Sequence, residues 1–296
     1  MDAVILLDKP AGITSAEAVR RIKRCVKPAR VGHLGTLDPF ATGLLPIMIG
    51  EATKLAPFLE GGEKEYIGTI KLGAETDTLD RDGAVVRTAP VPALTQTGLD
   101  ALAEGFVGRI TQTPPIFSAI KREGVPMYKL ARKNIDIAPP PPREVEIKSL
   151  RLESAGGHRI KFAVVCSPGT YVRSLARDIG AALGTAAYLD ELRRTRTSGF
   201  QIADALALDT VVAALEAGDS APLRTLTPRE AVAILPEVAL DAAAERRLRH
   251  GDSSTLDMRS PVAAGYFKVV SESGALIAIA RATSRVTAII ERIFNA

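Results

Sequence analysis

The hydrophobic pattern at the start of the chain predicts a strand followed by an amphipathic helix. Residues 4–7 form a short apolar run, and residues 9–12 read as a turn. Thr14 and Glu17 have the spacing of a capping box, which opens a helix by satisfying free backbone N–H groups. The apolar face of this helix consists of Val19, Ile22 and Val26. The helix can therefore pack on a core and still present its basic residues to solvent.

Alternation of polar and apolar residues predicts three further strands, over residues 66–72, 145–152 and 159–166. A turn at residues 167–170 then opens a second helix, with Gly184 as its stop. Residues 209–236 are helical and punctuated by proline, which favours a connection. From residue 238 a short helix ends at His250, and strands are predicted near residues 265–270, 275–280 and 286–294. The chain is therefore expected to end in a small β-rich domain.

The stretch V-G-H-L-G-T-L-D-P-F-A-T-G at residues 31–43 contains the strongest candidate for chemistry, Asp38. Its three glycines, and the proline after Asp38, exclude a regular helix or central strand and predict a tight loop. The apolar run at residues 44–49 predicts a buried strand that anchors this loop. Asp-Pro also starts ordinary turns, so the pattern alone leaves a turn and a functional site as alternatives.

A second polar loop, T-D-T-L-D-R-D-G, lies at residues 76–83. Aspartates this close together suit a calcium loop, but the EF-hand spacing and its closing glutamate are missing. A hairpin or loop with local salt bridges is the favoured interpretation.

The composition is that of an ordinary globular protein, with 46% hydrophobic and 24% charged residues among 296. No apolar run approaches the roughly 18 residues of a membrane helix, and the N-terminus lacks the basic start of a signal peptide. Cys25 and Cys166 are far apart, and the three histidines have no metal-ligand spacing. We therefore expect a cytoplasmic protein with reduced thiols, no metal and no membrane association.

Basic residues are concentrated in two segments. Residues 20–30 contain six basic and no acidic residues, and residues 109–151 contain nine basic and four acidic ones. This concentration indicates a nucleic-acid partner, although either segment alone also fits a solvated surface. Residues 109–144 are bounded by proline, which predicts a protruding, partly helical arm or a surface insertion without a partner.

Arg173 lies in the first turn of the second predicted helix, where the positive end of the helix dipole disfavours a cation. A nearby carboxylate would offset this cost. The pattern does not say whether that carboxylate belongs to a site or to an ordinary surface residue.

Several longer motifs occur in order along residues 5–200. They are K-P-x-G-x-T-S at 9–15, G-H-L-G-T-L-D-P-F-A-T-G-L-L-P at 32–46, K-E-Y at 64–66, D-T-L-D-x-D-G at 77–83, Q-x-P-P-x-x-S-A-x-K at 112–121, C-S-x-G-T-Y-V-R at 166–173 and L-R-R-T at 192–195. Together they resemble the TruB family of tRNA pseudouridine synthases. This resemblance favours a catalytic site at Asp38 over a turn.

The resemblance implies a chemistry that requires an ionised carboxylate and no cofactor. Pseudouridylation breaks the N-glycosidic bond of a uridine and rejoins the same base through C5. Asp38 would act as the nucleophile at C1′, the nucleophile at C6 or the base at C2′. Arg173 would pair with Asp38 and keep it ionised, and Asp80 would help to orient Arg173.

The resemblance also assigns contacts with RNA. The target base must be flipped out of a folded RNA loop. Tyr66 would stack on the flipped base, His33 would enter the RNA loop in its place, and Leu192 would pack under the base. Tyr171 belongs to the same motif as the arginine and is expected to contact the substrate. Pro168 stands where relatives often have lysine, which removes one possible phosphate contact.

The implied fold is α+β, with the mixed, mainly antiparallel sheet and flanking helices of the pseudouridine synthase fold over residues 1–236. Residues 109–144 resemble the family's thumb, which closes over the T arm of tRNA, and residues 237–296 resemble a PUA RNA-binding domain. The implied protein is a monomer that modifies uridine 55 of tRNA without guide RNA or protein partner.

Two other functions fit the same residues. One is a dyskerin-like enzyme directed by guide RNA, against which the thumb segment argues. The other is a tRNA-binding folding factor whose synthase activity is secondary or lost.

Overall fold

The chain folds into many strands and a few short helices, described over residues 1–118, 121–122, 125–127, 138–219, 221–257, 259–284 and 286–295. In this computed structural model the helices are α1 (Ser15–Cys25), α2 (Ala56–Leu59), α3 (Gln96–Phe106), α4 (Val172–Ala182), α5 (Leu208–Ala217), α6 (Pro228–Ala231) and α7 (Ala242–Arg249). The strands are β1 (Ala3–Lys9), β2 (Val31–His33), β3 (Thr42–Ile49), β4 (Lys64–Leu72), β5 (Ala74–Thr76), β6 (Val85–Thr88), β7 (Gly108–Gln112), β8 (Lys121–Arg122), β9 (Val125–Pro126), β10 (Arg143–Gly156), β11 (Arg159–Cys166), β12 (Ala187–Thr197), β13 (Phe200–Gln201), β14 (Leu206–Ala207), β15 (Thr225–Leu226), β16 (Glu237–Leu240), β17 (Gly265–Ser271), β18 (Leu276–Ala282) and β19 (Ala288–Ile293).

Strands from distant parts of the sequence join one mixed sheet, in the order β14-β1-β3-β12-β4-β11-β10-β7. The β1/β14 and β3/β12 pairs are parallel, and the other neighbours in this order are antiparallel. Apolar side chains on one face of β4, β11 and β12 pack against α3 and α4, including Ile70, Phe162, Leu189, Leu99 and Leu175. The predicted α+β class with a mainly antiparallel sheet is confirmed.

Signals within a few residues in the sequence predicted where α1 begins and where α4 ends. The Thr14 hydroxyl accepts a hydrogen bond from the Glu17 N–H at 3.0 Å, so Thr14 caps α1 as predicted. The other half of the predicted capping box is replaced, because the Glu17 carboxylate pairs with Arg20 and Arg21. The last turn of α4 is followed by Gly184 at φ +74°, a left-handed angle that favours glycine.

Two predicted segments differ from the structure. The loop predicted at residues 31–43 begins as the edge strand β2 and ends inside β3, because Gly32 pairs with Met48 and His33 with Ile47. The segment predicted as a connection, residues 209–236, also contributes β15, which pairs with β1. Isolated polarity and proline spacing do not reveal such edge pairings, since backbone hydrogen bonds to a partner strand leave no mark in the local sequence.

The C-terminal residues form a second sheet, in the order β16-β17-β18-β19, which confirms a β-rich end of the chain. One face of this sheet packs against the large sheet. Val4 and Met48 of the large sheet share one continuous buried cluster with Val270, Ile279 and Phe294. The two sheets therefore share part of their hydrophobic core.

The predicted arm begins and ends in paired strands, since Gln112 of β7 pairs with Arg143 of β10. Between them, β8 and β9 form a short hairpin. Residues 119–120, 123–124 and 128–137 of the arm lie outside the described residues. None of the helices in the described ranges is both long and apolar enough to cross a bilayer.

Candidate active site

The loop that carries Asp38 is fixed on both sides of the aspartate by the first turn of the chain. The N–H of Leu37 donates to Ser15 Oγ at 2.9 Å, and the N–H of Gly12 donates to the Pro39 carbonyl at 2.8 Å. The backbone on either side of Asp38 is therefore held in place. The Asp38 side chain remains 32% exposed, which leaves its carboxylate accessible to a substrate.

Lys9 is a buried cation directly beneath this loop. Its ammonium donates to the carbonyls of Ile13 at 2.7 Å, Pro10 at 2.8 Å and Pro39 at 3.3 Å. Burial lowers the pKa of Lys9 to about 8, and the negative charge of Asp38 opposes this shift. Lys9 thus joins the end of β1 to the residue that follows the catalytic candidate.

Arg173 approaches Asp38 from inside the protein. Its Nη2 donates to Oδ1 of Asp38 at 3.1 Å, and its Nε lies 2.9 Å from Oδ2 without the alignment of a hydrogen bond. The Arg173 side chain is only 5% exposed. Asp38 is therefore the carboxylate partner that was expected for this arginine at the start of the helix. The cation contacts the carboxylate from the protein interior and not from the solvent side.

The remaining contacts of Arg173 fix its guanidinium in one orientation. Nη1 donates to the Thr78 carbonyl at 2.8 Å, and Nη2 donates to the Phe117 carbonyl at 2.9 Å. Nη1 also lies 3.5 Å from Oδ2 of Asp80. Segments that are distant in sequence thus meet at a single arginine, as a preorganised site requires.

Asp80 is a buried carboxylate held by its own loop. Oδ1 accepts from the Thr78 hydroxyl at 2.7 Å and from the Asp82 N–H at 3.1 Å. Burial raises the pKa of Asp80, while the Thr78 hydroxyl and the Arg173 guanidinium oppose the rise. The polar loop lies between the paired strands β5 and β6, as the hairpin interpretation predicted.

Tyr66 and Leu192 are neighbours on two paired strands. In the antiparallel β4/β12 pair, Leu192 lies opposite Gly68 and Arg194 lies opposite Tyr66. Both Tyr66 and Leu192 are buried in the main core. Burial raises the pKa of the Tyr66 phenol; the adjacent Arg194 opposes this rise, and the charge of Asp38 adds to it.

His33 and Tyr171 are the two remaining candidates for contact with RNA. Burial and the Arg194 charge lower the pKa of His33, which favours a neutral imidazole. The buried His33 Nδ1 has no hydrogen-bond partner in the described part of the chain. The Tyr171 N–H donates to Gln112 Oε1 at 2.8 Å, and the Arg143 guanidinium lies 4.7 Å from the centre of the Tyr171 ring.

The structure thus joins three of the sequence candidates through direct ionic contacts, namely Asp38, Arg173 and Asp80. Sequence reasoning assigned no role to Lys9, Ser15, Gln112 or Arg194, although all four lie in the quoted motifs. Lys9, which closely follows the apolar run of residues 3–7, offered a sequence signal, whereas Ser15, Gln112 and Arg194 stand among other polar residues and offered none.

A carboxylate held against a buried arginine beside a tyrosine, on a mixed and mainly antiparallel sheet, is the arrangement of a pseudouridine synthase. The family model described as "TruB family pseudouridylate synthase (N terminal domain)" matches residues 23–172. The model described as "tRNA pseudouridylate synthase B C-terminal domain" matches residues 173–233, so both end before the four-stranded sheet. The chain belongs to the TruB family of pseudouridylate synthases.

Curated relatives and solved structures agree with this assignment. The tRNA pseudouridine synthase B of Methylobacillus flagellatus is 40% identical over 285 residues, which cover 96% of this chain and 92% of that protein. The tRNA pseudouridine synthase B of Geotalea uraniireducens is 47% identical over 209 residues, 71% of this chain and 67% of that protein. A chain of a Cbf5-Nop10-Gar1 complex is similar at 26% identity and a TM-score of 0.76, covering 99% of this chain and 85% of that one.

Proposed function

We propose that this protein isomerises the T-loop uridine at position 55 of tRNA to pseudouridine and needs neither guide RNA nor a cofactor. The observation that carries the proposal is the pairing of the partly exposed Asp38 with the buried Arg173. The relatives named tRNA pseudouridine synthase B, similar over most of the chain, support the choice of tRNA as substrate.

The site fits a reaction in which the base leaves the ribose and returns through another atom. The N1–C1′ bond breaks, a C5–C1′ bond forms, and the proton on C5 leaves while N1 gains one, so the reaction is redox-neutral. Asp38 supplies the carboxylate, as nucleophile at C1′, nucleophile at C6 or base at C2′. Arg173 holds that carboxylate in place, and Asp80 holds Arg173.

The RNA contacts follow from the family resemblance and from the positions of the residues. Tyr66 stacks on the flipped base, with Leu192 packed beside it, and His33 fills the space that the base vacates. Tyr171, next to the catalytic arginine at the start of α4, contacts the substrate. A neutral His33 suits insertion among stacked bases, and its lowered pKa supports this role.

The proposal also assigns RNA-binding roles to two longer segments of the chain. Residues 109–144 act as the thumb on the T arm of tRNA, and residues 237–296 form a PUA-like RNA-binding domain beside the catalytic domain of residues 1–236. The separate sheet β16-β17-β18-β19 supports a boundary near residue 236. The enzyme acts as a monomer in the cytoplasm, where its tRNA substrate is found.

Release of tritium from tRNA labelled at C5 of uridine tests the proposal. Purified protein alone should release tritium from unmodified tRNA and not from the same transcript with cytidine at position 55. Asp38→Asn should abolish release and retain tRNA binding, whereas Asp100→Asn on the exposed side of α3 should release at the normal rate. Absence of release by the wild-type protein, with tight tRNA binding, would instead indicate a tRNA-binding factor or a partner-dependent enzyme.

A further inference from the structure

Arg194 is a fully buried cation in the middle of β12, with 0% of its surface exposed. In the described part of the chain its guanidinium contacts backbone carbonyls and no carboxylate. A buried charge without a counterion is costly, so the acceptors of its N–H groups matter for the stability of the fold. The identity of those acceptors shows what Arg194 does.

The acceptors lie at both ends of the loop that carries Asp38. Arg194 Nε donates to the Leu44 carbonyl at 2.8 Å, after the aspartate. Arg194 Nη2 donates to the Gly35 carbonyl at 2.9 Å and lies 3.4 Å from the Leu34 carbonyl, before the aspartate. The guanidinium of Arg194 therefore links the two ends of the loop that carries Asp38.

Two glycines of the loop leave the space that this arrangement needs. A Cβ at Gly35, which has φ +75°, would lie 3.2 Å from Arg194 Nη1. A Cβ at Gly43, which has φ +103°, would lie 2.3 Å from the backbone carbonyl oxygen of Arg194, because β3 and β12 pair at this point. Gly35 thus leaves room for the Arg194 side chain, and Gly43 leaves room for the backbone of the strand that carries it.

Arg194 also lies opposite one RNA-binding candidate, Tyr66, and its charge acts on a second, His33. The same charge acts on the Tyr66 phenol. A displacement of the guanidinium would therefore disturb the loop and the stacking tyrosine together.

We propose that Arg194 is a positioning residue, which fixes the loop so that Asp38 faces the reacting ribose and Tyr66 the base. Its effect on the reaction rests on the proposed function, but its effect on the loop does not. Substrate affinity depends chiefly on distant phosphate contacts, so the loss of Arg194 should slow the chemical step and leave tRNA binding intact.

Arg194→Lys tests the proposal, since lysine keeps the charge and loses the planar fork that reaches both ends of the loop. We expect single-turnover tritium release to slow about 100-fold, the tRNA Kd to stay within twofold, and hydrogen exchange to rise in peptides covering residues 34–44. Exchange in β17, β18 and β19 should not change. Arg196→Lys, two residues along the same strand and paired with Glu65, should behave as wild type.

A second variant leaves Arg194 itself unchanged, so its result does not depend on whether Arg194→Lys folds. Gly35→Ala pushes a methyl group toward the guanidinium, whereas Gly184→Ala carries the same strain at φ +74° with no atom within 4 Å of the new methyl. We expect Gly35→Ala to slow release at least tenfold relative to Gly184→Ala, with loop exchange raised in the first only.

Equal rates in the two glycine variants would overturn the proposal, as would a rate within threefold of wild type in Arg194→Lys. Exchange that rises evenly over the whole protein in Arg194→Lys would also overturn it, because Arg194 would then be an ordinary core residue. The exchange measurements need no RNA. Should the wild-type enzyme release no tritium from tRNA, the proposed function fails and the loop exchange still decides the positioning role.

Discussion

The guanidinium of Arg173 meets Asp38 side-on, with Nε 2.9 Å from one carboxylate oxygen and Nη2 3.1 Å from the other. The arginine is almost fully buried and the aspartate is not. Removal of the arginine would therefore leave two carboxylates, Asp38 and Asp80, without the cation between them. Because Arg173 is the buried member of the pair, its substitution should destabilise the fold more than substitution of Asp38.

Arg173→Lys should slow single-turnover tritium release by about 100-fold or more, because breaking a buried charge contact costs about 3–5 kcal/mol. Lysine keeps the charge but cannot reach Asp38, Thr78 and Phe117 together. Filter binding should give a tRNA Kd within a few-fold of wild type. Arg177→Lys, one turn further along α4 and paired with Asp178, is the matched control. An unchanged release rate in Arg173→Lys would contradict the role given to this pair.

Asp80→Asn should separate turnover from stability. Turnover should fall by about tenfold or more, since loss of one charged contact costs about 1.5 kcal/mol. Stability at pH 7 should be equal or higher, because burial raises the pKa of Asp80 and thereby disfavours its ionised form in the folded protein. Urea unfolding at pH 7 measures the second quantity. A fall in stability that parallels the loss of turnover would show that Asp80 only supports the fold.

Lys9→Met should change the pH dependence of stability in a defined window. The pKa of Lys9 is lowered to about 8 in the folded protein, from the ordinary lysine value of 10.5 that holds in the unfolded chain. Between these values the unfolded chain binds more protons, so the stability of the wild type relative to Lys9→Met should rise with pH. The rise should reach up to about 3 kcal/mol and should be absent below pH 8.

Urea unfolding of both proteins at several pH values between 7 and 10.5 measures this difference, with the exposed Lys161→Met as a baseline for a surface lysine. A wild-type advantage that shrinks as the pH rises would show that the buried ammonium, and not the neutral amine, is the stable form.

The exposed basic residues at the end of α1 should set part of the salt dependence of tRNA binding. Lys23, Arg24 and Lys27 are exposed, whereas Arg20 and Arg21 pair with Glu17 on the same helix. Changing the first three to Gln should reduce the slope of log K against log salt by about 2 to 3, at 0.7 to 0.9 for each lost phosphate contact. Changing Arg20 and Arg21 to Gln should reduce it less. Equal slopes in all three proteins would exclude α1 from the RNA interface.

Local signals in the sequence predicted much of the fold around the site. The Thr14 cap, the alternation over β4 and the glycine after α4 act within a few residues, so they can be read without a partner. The contact between Asp38 and Arg173 was predicted through the family motifs, and the structure contains it. The roles of Tyr66, His33, Leu192 and Tyr171 in binding RNA stay predictions.

The supports of the loop could not be read in the same way. Lys9 and Arg194 act by donating to backbone carbonyls, and every residue type carries a carbonyl, so the acceptor leaves no mark in the sequence. The Lys9 contact spans 30 residues and the Arg194 contact with Leu44 spans 150. Only the three-dimensional arrangement of β1, β3 and β12 shows that both cations serve the segment that contains Asp38.

The hydrophobic cluster shared by the two sheets limits how this protein can evolve. A gene shortened before residue 237 would expose the side chains of Val4, Leu6 and Met48 that now pack against Val270 and Phe294. A lineage that lost its last sheet would need polar substitutions at those positions, and one that exchanged it would need a replacement with a matching apolar face. Loss or exchange of the C-terminal sheet would therefore require matching changes in β1 and β3.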